Sequence, residues 1–249
     1  MTVAMRAALR ATAKFCLAVA ILAPAPAAQA AALSVEPLRL ELDPAARATA
    51  ITVRNDEPTP VVIQARVLAW SQPDGKDRLE ETRDFLVTPA IVEIPAKGFQ
   101  VLRLGRRAGA RGPAEATYRV LLKEILPDAP AGSMGVRMAM VLSLPLFVSA
   151  PGATPARLAW TAEVGPDSVR MTAHNAGGQR ARLSSAELLD AQGRSVGRWS
   201  GVTYLLAGAT RSFRFRSDAT LTAGSPVTLL LATESGKEEV RATLVGMGP

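Results

Sequence analysis

One histidine stands in 249 residues, and that scarcity removes most acid–base and metal chemistry at the outset. His174 sits beside Asn175-Ala176-Gly177-Gly178, so it reads as a turn or surface imidazole rather than as a general base or ligand. There is no G-x-S-x-G, no H-E-x-x-H and no glycine-rich phosphate cradle. Asp and Glu are scattered over expected turns and solvent faces. No catalytic residue, metal ligand or cofactor site is expected. The spacing that can act is apolar. Met134, Val136, Met138, Met140, Leu142, Leu144, Leu146 and Val148 fall on every second position. Period-2 alternation puts all eight on one face of a strand. At about 3.3 Å per residue such a strand would run about 50 Å. A typical strand has only roughly 5–6 residues. Two readings follow. The first is a core strand, either bent or made of two strands run together; in the second, part of the apolar face overhangs its own core and is offered to another protein.

The elements that must position this strand begin after a leader. Arg6, Arg10 and Lys14 form a basic region, an apolar stretch follows, and Ala28-Gln29-Ala30 is a cleavage signal. Residues 1–30 are therefore expected to be a signal peptide cut before Ala31. The apolar run is too short for a permanent span, and no later stretch is long and apolar enough for one. The mature chain is expected to be exported, without membrane insertion. Losing three cations lowers the formal net charge from +7 to +4. That modest balance gives no reason to expect nucleic acid and suits carboxylate-bearing partners. The basic loop at 106–112 has no aromatics to stack bases and reads as solvated. The single cysteine, Cys16, lies in the leader, so no disulfide supports the mature fold.

From Leu33 onward the pattern is β throughout. Short alternating runs are separated by Asp43-Pro44, Asn55-Asp56-Glu57-Pro58 and Pro73-Asp74-Gly75, each a turn with a stereochemical reason. The Pro/Gly/Ala stretch after Ser149 reads as a linker. A second set of strands is expected at 158–164, 169–174, 181–189, 210–215, 227–232 and 240–244. Sustained 3.6 periodicity is absent. The fold class is all-β, two sandwiches in tandem, with domains at 31–150 and 151–249.

Three segments together carry a family likeness. Val35-Glu36-Pro37-Leu38-Arg39-Leu40 opens the mature chain. Thr88-Pro89 leads to Gln100-Val101-Leu102-Arg103-Leu104. The run from Tyr118 to Ile125 is followed by Leu144-Pro145-Leu146-Phe147-Val148. Their order and spacing behind a leader resemble the PapD-like periplasmic chaperones of the chaperone–usher pilus pathway. The resemblance implies two immunoglobulin-like sandwiches set at an angle. It implies pilin subunits as partners, delivery to an outer-membrane usher, no enzymatic activity and a periplasmic location. It makes Met134, Val136, Met138, Met140, Leu142 and Leu144 a donor strand that completes the subunit's own sandwich. Until a subunit arrives, this exposed apolar edge favours self-association of the free protein.

The family also holds the subunit's terminal carboxylate with two cations in its cleft. The arginine matches Arg39. The lysine would fall at Pro145, which is not basic, so this sequence departs from the pattern there. Arg103 and Arg119 are candidate substitutes, although for each a solvated face is the simpler reading. The competing reading is a secreted sandwich module for a fixed protein or carbohydrate partner. It lacks an aromatic platform, since Trp70, Trp160 and Trp199 lie far apart in the sequence.

Overall fold

The structure is a computed structural model that describes residues 33–107, 114–127, 138–217 and 221–247. Its strands form four sheets, two in each half of the chain. In the first sandwich one sheet orders β1 (Leu33–Glu36), β3 (Ala48–Asn55), β8 (Phe99–Arg106) and β6 (Phe85–Thr88). The facing sheet orders β2 (Leu40–Leu42), β10 (Val141–Val148), β9 (Ala116–Ile125), β4 (Val61–Ser71) and β5 (Arg78–Glu81). A short β7 (Ile91–Ile94) also pairs with β4. Alternate residues make the core between them: Ile51, Val53, Leu102 and Leu104 from one sheet, Ile63, Val120, Leu122, Leu144 and Leu146 from the other.

In the second sandwich β15 (Thr210–Arg216), β12 (Ser168–Asn175), β11 (Leu158–Val164) and β18 (Val245–Gly246) form one sheet. The other orders β14 (Ser195–Leu205), β13 (Ala181–Leu189), β16 (Pro226–Thr233) and β17 (Gly236–Thr243). Met171, Phe213, Phe215, Leu183, Leu188 and Leu229 fill the space between them. Trp160 and Trp199 both pack on Phe213, with ring centroids 5.9 Å and 5.2 Å away. These indoles converge in space, contrary to their separation in sequence, but they serve the core and present no platform.

Three elements differ from the sequence expectation. The long strand is a strand only over the eight residues Val141–Val148, since residues 138–140 have no strand pairing. Met134 and Val136 lie outside the described residues. Strand β14 has no counterpart in the alternation pattern. Gly197 and Gly201 interrupt it, and its register against β13 shifts twice, which breaks the period-2 signal. Strand β5 reads Arg-Leu-Glu-Glu and is exposed on all four residues, so it carries no apolar face to detect.

Each sandwich is closed by the same buried clamp. Asn55 ends β3, and its side-chain amide donates to the carbonyls of Thr59, Ile94 and Pro95 at 2.8–3.2 Å. Its Oδ1 accepts the Glu57 N–H at 3.0 Å. Asn175 ends β12 and donates to the carbonyls of Gln179, Leu205 and Leu206 at 2.8–3.2 Å. Its Oδ1 accepts from Gly177 and Arg157. Both side chains are fully buried. Each pins a turn to a strand of the opposite sheet, which an apolar residue could not do. Asn175→Ala would orphan buried carbonyls at about 1–3 kcal/mol each. A melting temperature lower by several degrees is expected for Asn175→Ala and for Asn55→Ala, read by calorimetry on residues 31–249.

Candidate functional site

The hydrogen-bond parity of β10 decides which residues meet what. Glu124 N–H donates to Met140 O at 2.9 Å, so even-numbered residues turn their backbone groups to β9. Ser149 N–H donates to Leu42 O at 3.0 Å, so odd-numbered residues turn theirs to the β2 side. Pro145 is odd. Its missing N–H therefore faces away from β9 and costs that ladder nothing. Pairing with β2 starts one residue later, at Leu146 opposite Leu40. Above Pro145, among the described residues, no strand covers Val141 to Leu144 on that side. The backbone groups of Val141 and Ser143 thus form a short open sheet edge.

Side chains sort the same way. Leu144 and Leu146 point into the first core, at 6% and 0% exposure. Leu142 and Met140 pack against that core as half-buried neighbours. Leu144 was expected among the residues offered to a partner. It sits instead under the opposite sheet, because its register partner Val120 lies in the middle of the sandwich. Only at Met138 does the row leave the core, where the side chain is 86% exposed. Val141 is exposed on the other face.

Two arginines flank Pro145. Arg39 immediately precedes Leu40, the register partner of Leu146. Arg119 is the direct register partner of Pro145 on β9. Its guanidinium carbon lies 3.8 Å from the centroid of the Trp70 ring, a cation–π stack. Burial lowers the Arg119 pKa, and Asp77 offsets part of that without forming an ion pair. Arg39 is bonded to two carboxylates, Glu41 at 3.0 Å and Glu234 at 2.6 Å. Burial works against its charge, but these carboxylates outweigh it and raise its pKa. Arg103 lies on β8 in the other sheet, exposed, and is not part of this group. His174 is exposed, with Nδ1 3.0 Å from Thr210 Oγ1. Among the described residues no three His, Cys, Asp or Glu gather as a metal site, and no helix is long and apolar enough to cross a membrane.

Below this row the two sandwiches are joined. Phe147 packs with Trp70 and Tyr204 at centroid distances of 6.1 Å and 5.3 Å, in the core cluster of the second sandwich. Its odd position turns it to the opposite face from Leu146. Gln72 side-chain Nε2 donates to Tyr204 O at 2.9 Å, and its Oε1 accepts the Leu206 N–H at 2.9 Å. Arg180 of the second sandwich lies 3.6 Å over the Phe147 ring and pairs with Glu115 and Glu41 of the first. Sequence reasoning missed Gln72, Glu115 and Arg180. Each lies at a strand end, where the alternation carries no signal.

Residues 32–154 match the family of the pili and flagellar-assembly chaperone, PapD N-terminal domain. No curated protein sequence matches the chain. Among solved structures the chain is similar to one of the CsuC–CsuE chaperone–tip adhesion subunit pre-assembly complex from Acinetobacter baumannii. There the identity is 23%, 86% of this chain and 100% of that one are covered, and the TM-score is 0.64. It is similar to the SafA pilin–SafB chaperone complex of Salmonella enterica at 18% identity, with 88% and 99% covered and a TM-score of 0.59. The Escherichia coli chaperone DraB follows at 23% identity, 85% and 96% coverage and a TM-score of 0.56.

The joint is testable through its ion pair. Glu115 and Arg180 side chains are 3% and 12% exposed. Burial pushes the Glu115 carboxyl up, and Arg180 opposes it by charge and hydrogen bonds. Arg180→Met would leave a buried, unpaired carboxylate and is expected to cost about 3–5 kcal/mol at neutral pH. In that variant the folded-state pKa of Glu115 lies further above its unfolded value. Its contribution is favourable at low pH and is lost as pH rises through the folded pKa. The deficit against wild type should therefore grow with pH, read as denaturation midpoints from acid to neutral pH.

Proposed function

With its first sandwich belonging to the PapD family of pili and flagellar-assembly chaperones, a non-enzymatic family, we propose that this protein is a periplasmic chaperone for pilin subunits. It receives a subunit on β10, lends its apolar row to complete the subunit's sandwich, and passes the subunit to an outer-membrane usher. One observation carries the reading. Above Pro145 the strand has an open backbone edge, an apolar row that leaves its own core at Met138, and arginines on both flanks of the edge's lower end. Backbone groups supply a ladder, the apolar row supplies burial, and the cations supply a seat for a chain-terminal carboxylate.

On this reading the donor row runs from the region of Met134 and Val136 through Met138 to Met140 and Leu142. Leu144 stays in the chaperone's core. Met138 is free in the unbound state, whereas Met140 and Leu142 reach the subunit only at the rim of the first sandwich. Arg39 remains the first carboxylate anchor. Arg119, opposite Pro145, supplies the second cation that the proline does not. The sites are supported by the placement of these residues around one edge.

Two outcomes test this with a candidate pilin co-expressed with the chain. Met138→Asp should leave the melting temperature near wild type and abolish recovery of the 1:1 complex, because the side chain is 86% exposed when free. Phe147→Asp, in the joint, should destabilise the protein whatever its function. A Met138→Asp protein that melts as early as the Phe147→Asp control would return this row to a core role. Arg39→Ala and Arg119→Ala should each weaken the complex by about 1.5–3 kcal/mol while the free chain stays folded. Full recovery with the Arg39→Ala, Arg119→Ala double variant would remove the carboxylate seat.

A further inference from the structure

We infer that Glu234 is a built-in carboxylate that occupies Arg39 in the free protein and is exchanged for the terminal carboxylate of the guest chain. The inference rests on the anchor reading above and adds what the guest must displace. Glu234 comes from the second sandwich, in the two-residue turn between β16 and β17, where Thr233 pairs with Gly236. The turn is fixed by its own bonds. Glu234 N–H donates to Arg182 O at 3.1 Å, and Thr233 Oγ1 donates to Gly236 O at 3.0 Å. The carboxylate is thereby carried to Arg39, with Oε1 2.6 Å from Nη1.

The ion pairs that link the two sandwiches fall into two kinds. Arg180 and Glu115 are almost fully buried and hold the two sandwiches together. Arg39 and Glu234 keep 36% and 43% of their side-chain surface, so their attraction is screened by water and readily exchanged. Arg39 already has two carboxylates. A third on one guanidinium would be repelled unless one leaves. Glu41 is also held by Arg180, whereas Arg39 is the only ion-pair partner of Glu234 among the described residues. Glu234 is therefore the carboxylate that departs. The exchange keeps Arg39 neutralised in both states and makes a weak, non-terminal carboxylate a poor substitute for a correctly seated one.

The test uses residues 31–249 and a short N-acetylated peptide of alternating valine and threonine. The peptide is made once with a free C-terminal carboxylate and once as the C-terminal amide. Binding is followed by chemical-shift titration. Glu234→Gln removes the competitor and should tighten the carboxylate peptide by about two- to fivefold, with the amide peptide unchanged. Unchanged or weaker binding of the carboxylate peptide by Glu234→Gln, while wild type still prefers carboxylate over amide, overturns the exchange and leaves the anchor reading standing. Equal binding of both peptides by wild type and by Arg39→Ala overturns the anchor reading, and the exchange with it.

Discussion

The geometry of the molecule hangs on one stacked cation. Arg180 spreads over the face of Phe147 and reaches two glutamates of the first sandwich from the second. A planar guanidinium can do both at once, because its flat face and its N–H edges are separate resources; an ammonium could not. Around it the joint is built from polar groups paired across the boundary. Gln72 bonds to two backbone groups across the boundary, and Glu115 N–H donates to Gly178 O at 2.9 Å. Gly75 approaches Thr210 so closely that a Cβ there would lie 2.8 Å from the carbonyl oxygen. Residues 31–249 contain no cysteine, so no disulfide supports this joint, and packing and paired charge hold it.

Because β10 ends in that joint, the strand has two unequal parts. Its lower half is wrapped on both sides by β2 and β9, and its side chains feed two different cores: Leu146 and Val148 the first, Phe147 the second. Among the described residues its upper half pairs with β9 alone. Rigidity below and openness above are properties of one continuous strand, so whatever joins the upper half is positioned by both sandwiches. The arginines at the boundary inherit the same rigidity. Arg119 is held by the Trp70 face, and Trp70 is held through its indole N–H, which donates to Asp77 at 3.0 Å.

Much of this was legible in the sequence. Period-2 runs located most of the strands, and the Asn-rich and Pro/Gly turns separated them. The likeness in residues 33–150 pointed to Arg39 and to the apolar row. The rest was hidden for physical reasons. Whether Leu144 faces a partner or its own core depends on how far β9 and the opposite sheet extend, which no local pattern records. Phe147 lies off the apolar row, and only the neighbouring sandwich gives its side chain a core. The two asparagine clamps are written as Asn55-Asp56-Glu57 and Asn175-Ala176-Gly177, and nothing but the shared asparagine links them. Strand β14 was obscured by its own glycines, and Glu234 by lying in a turn whose significance is entirely tertiary.

Pro145 has one more consequence. A free sheet edge ordinarily takes a newcomer in either direction and at any offset. Here the lane beside β10 is a cul-de-sac: β2 fills its floor, the proline withholds the next donor, and Arg39 stands where the two meet. A chain laid into such a lane is measured from its last residue. On the proposed function the sheet would work as a ruler with a fixed zero, sorting chain ends from chain middles by backbone geometry before any side chain is consulted.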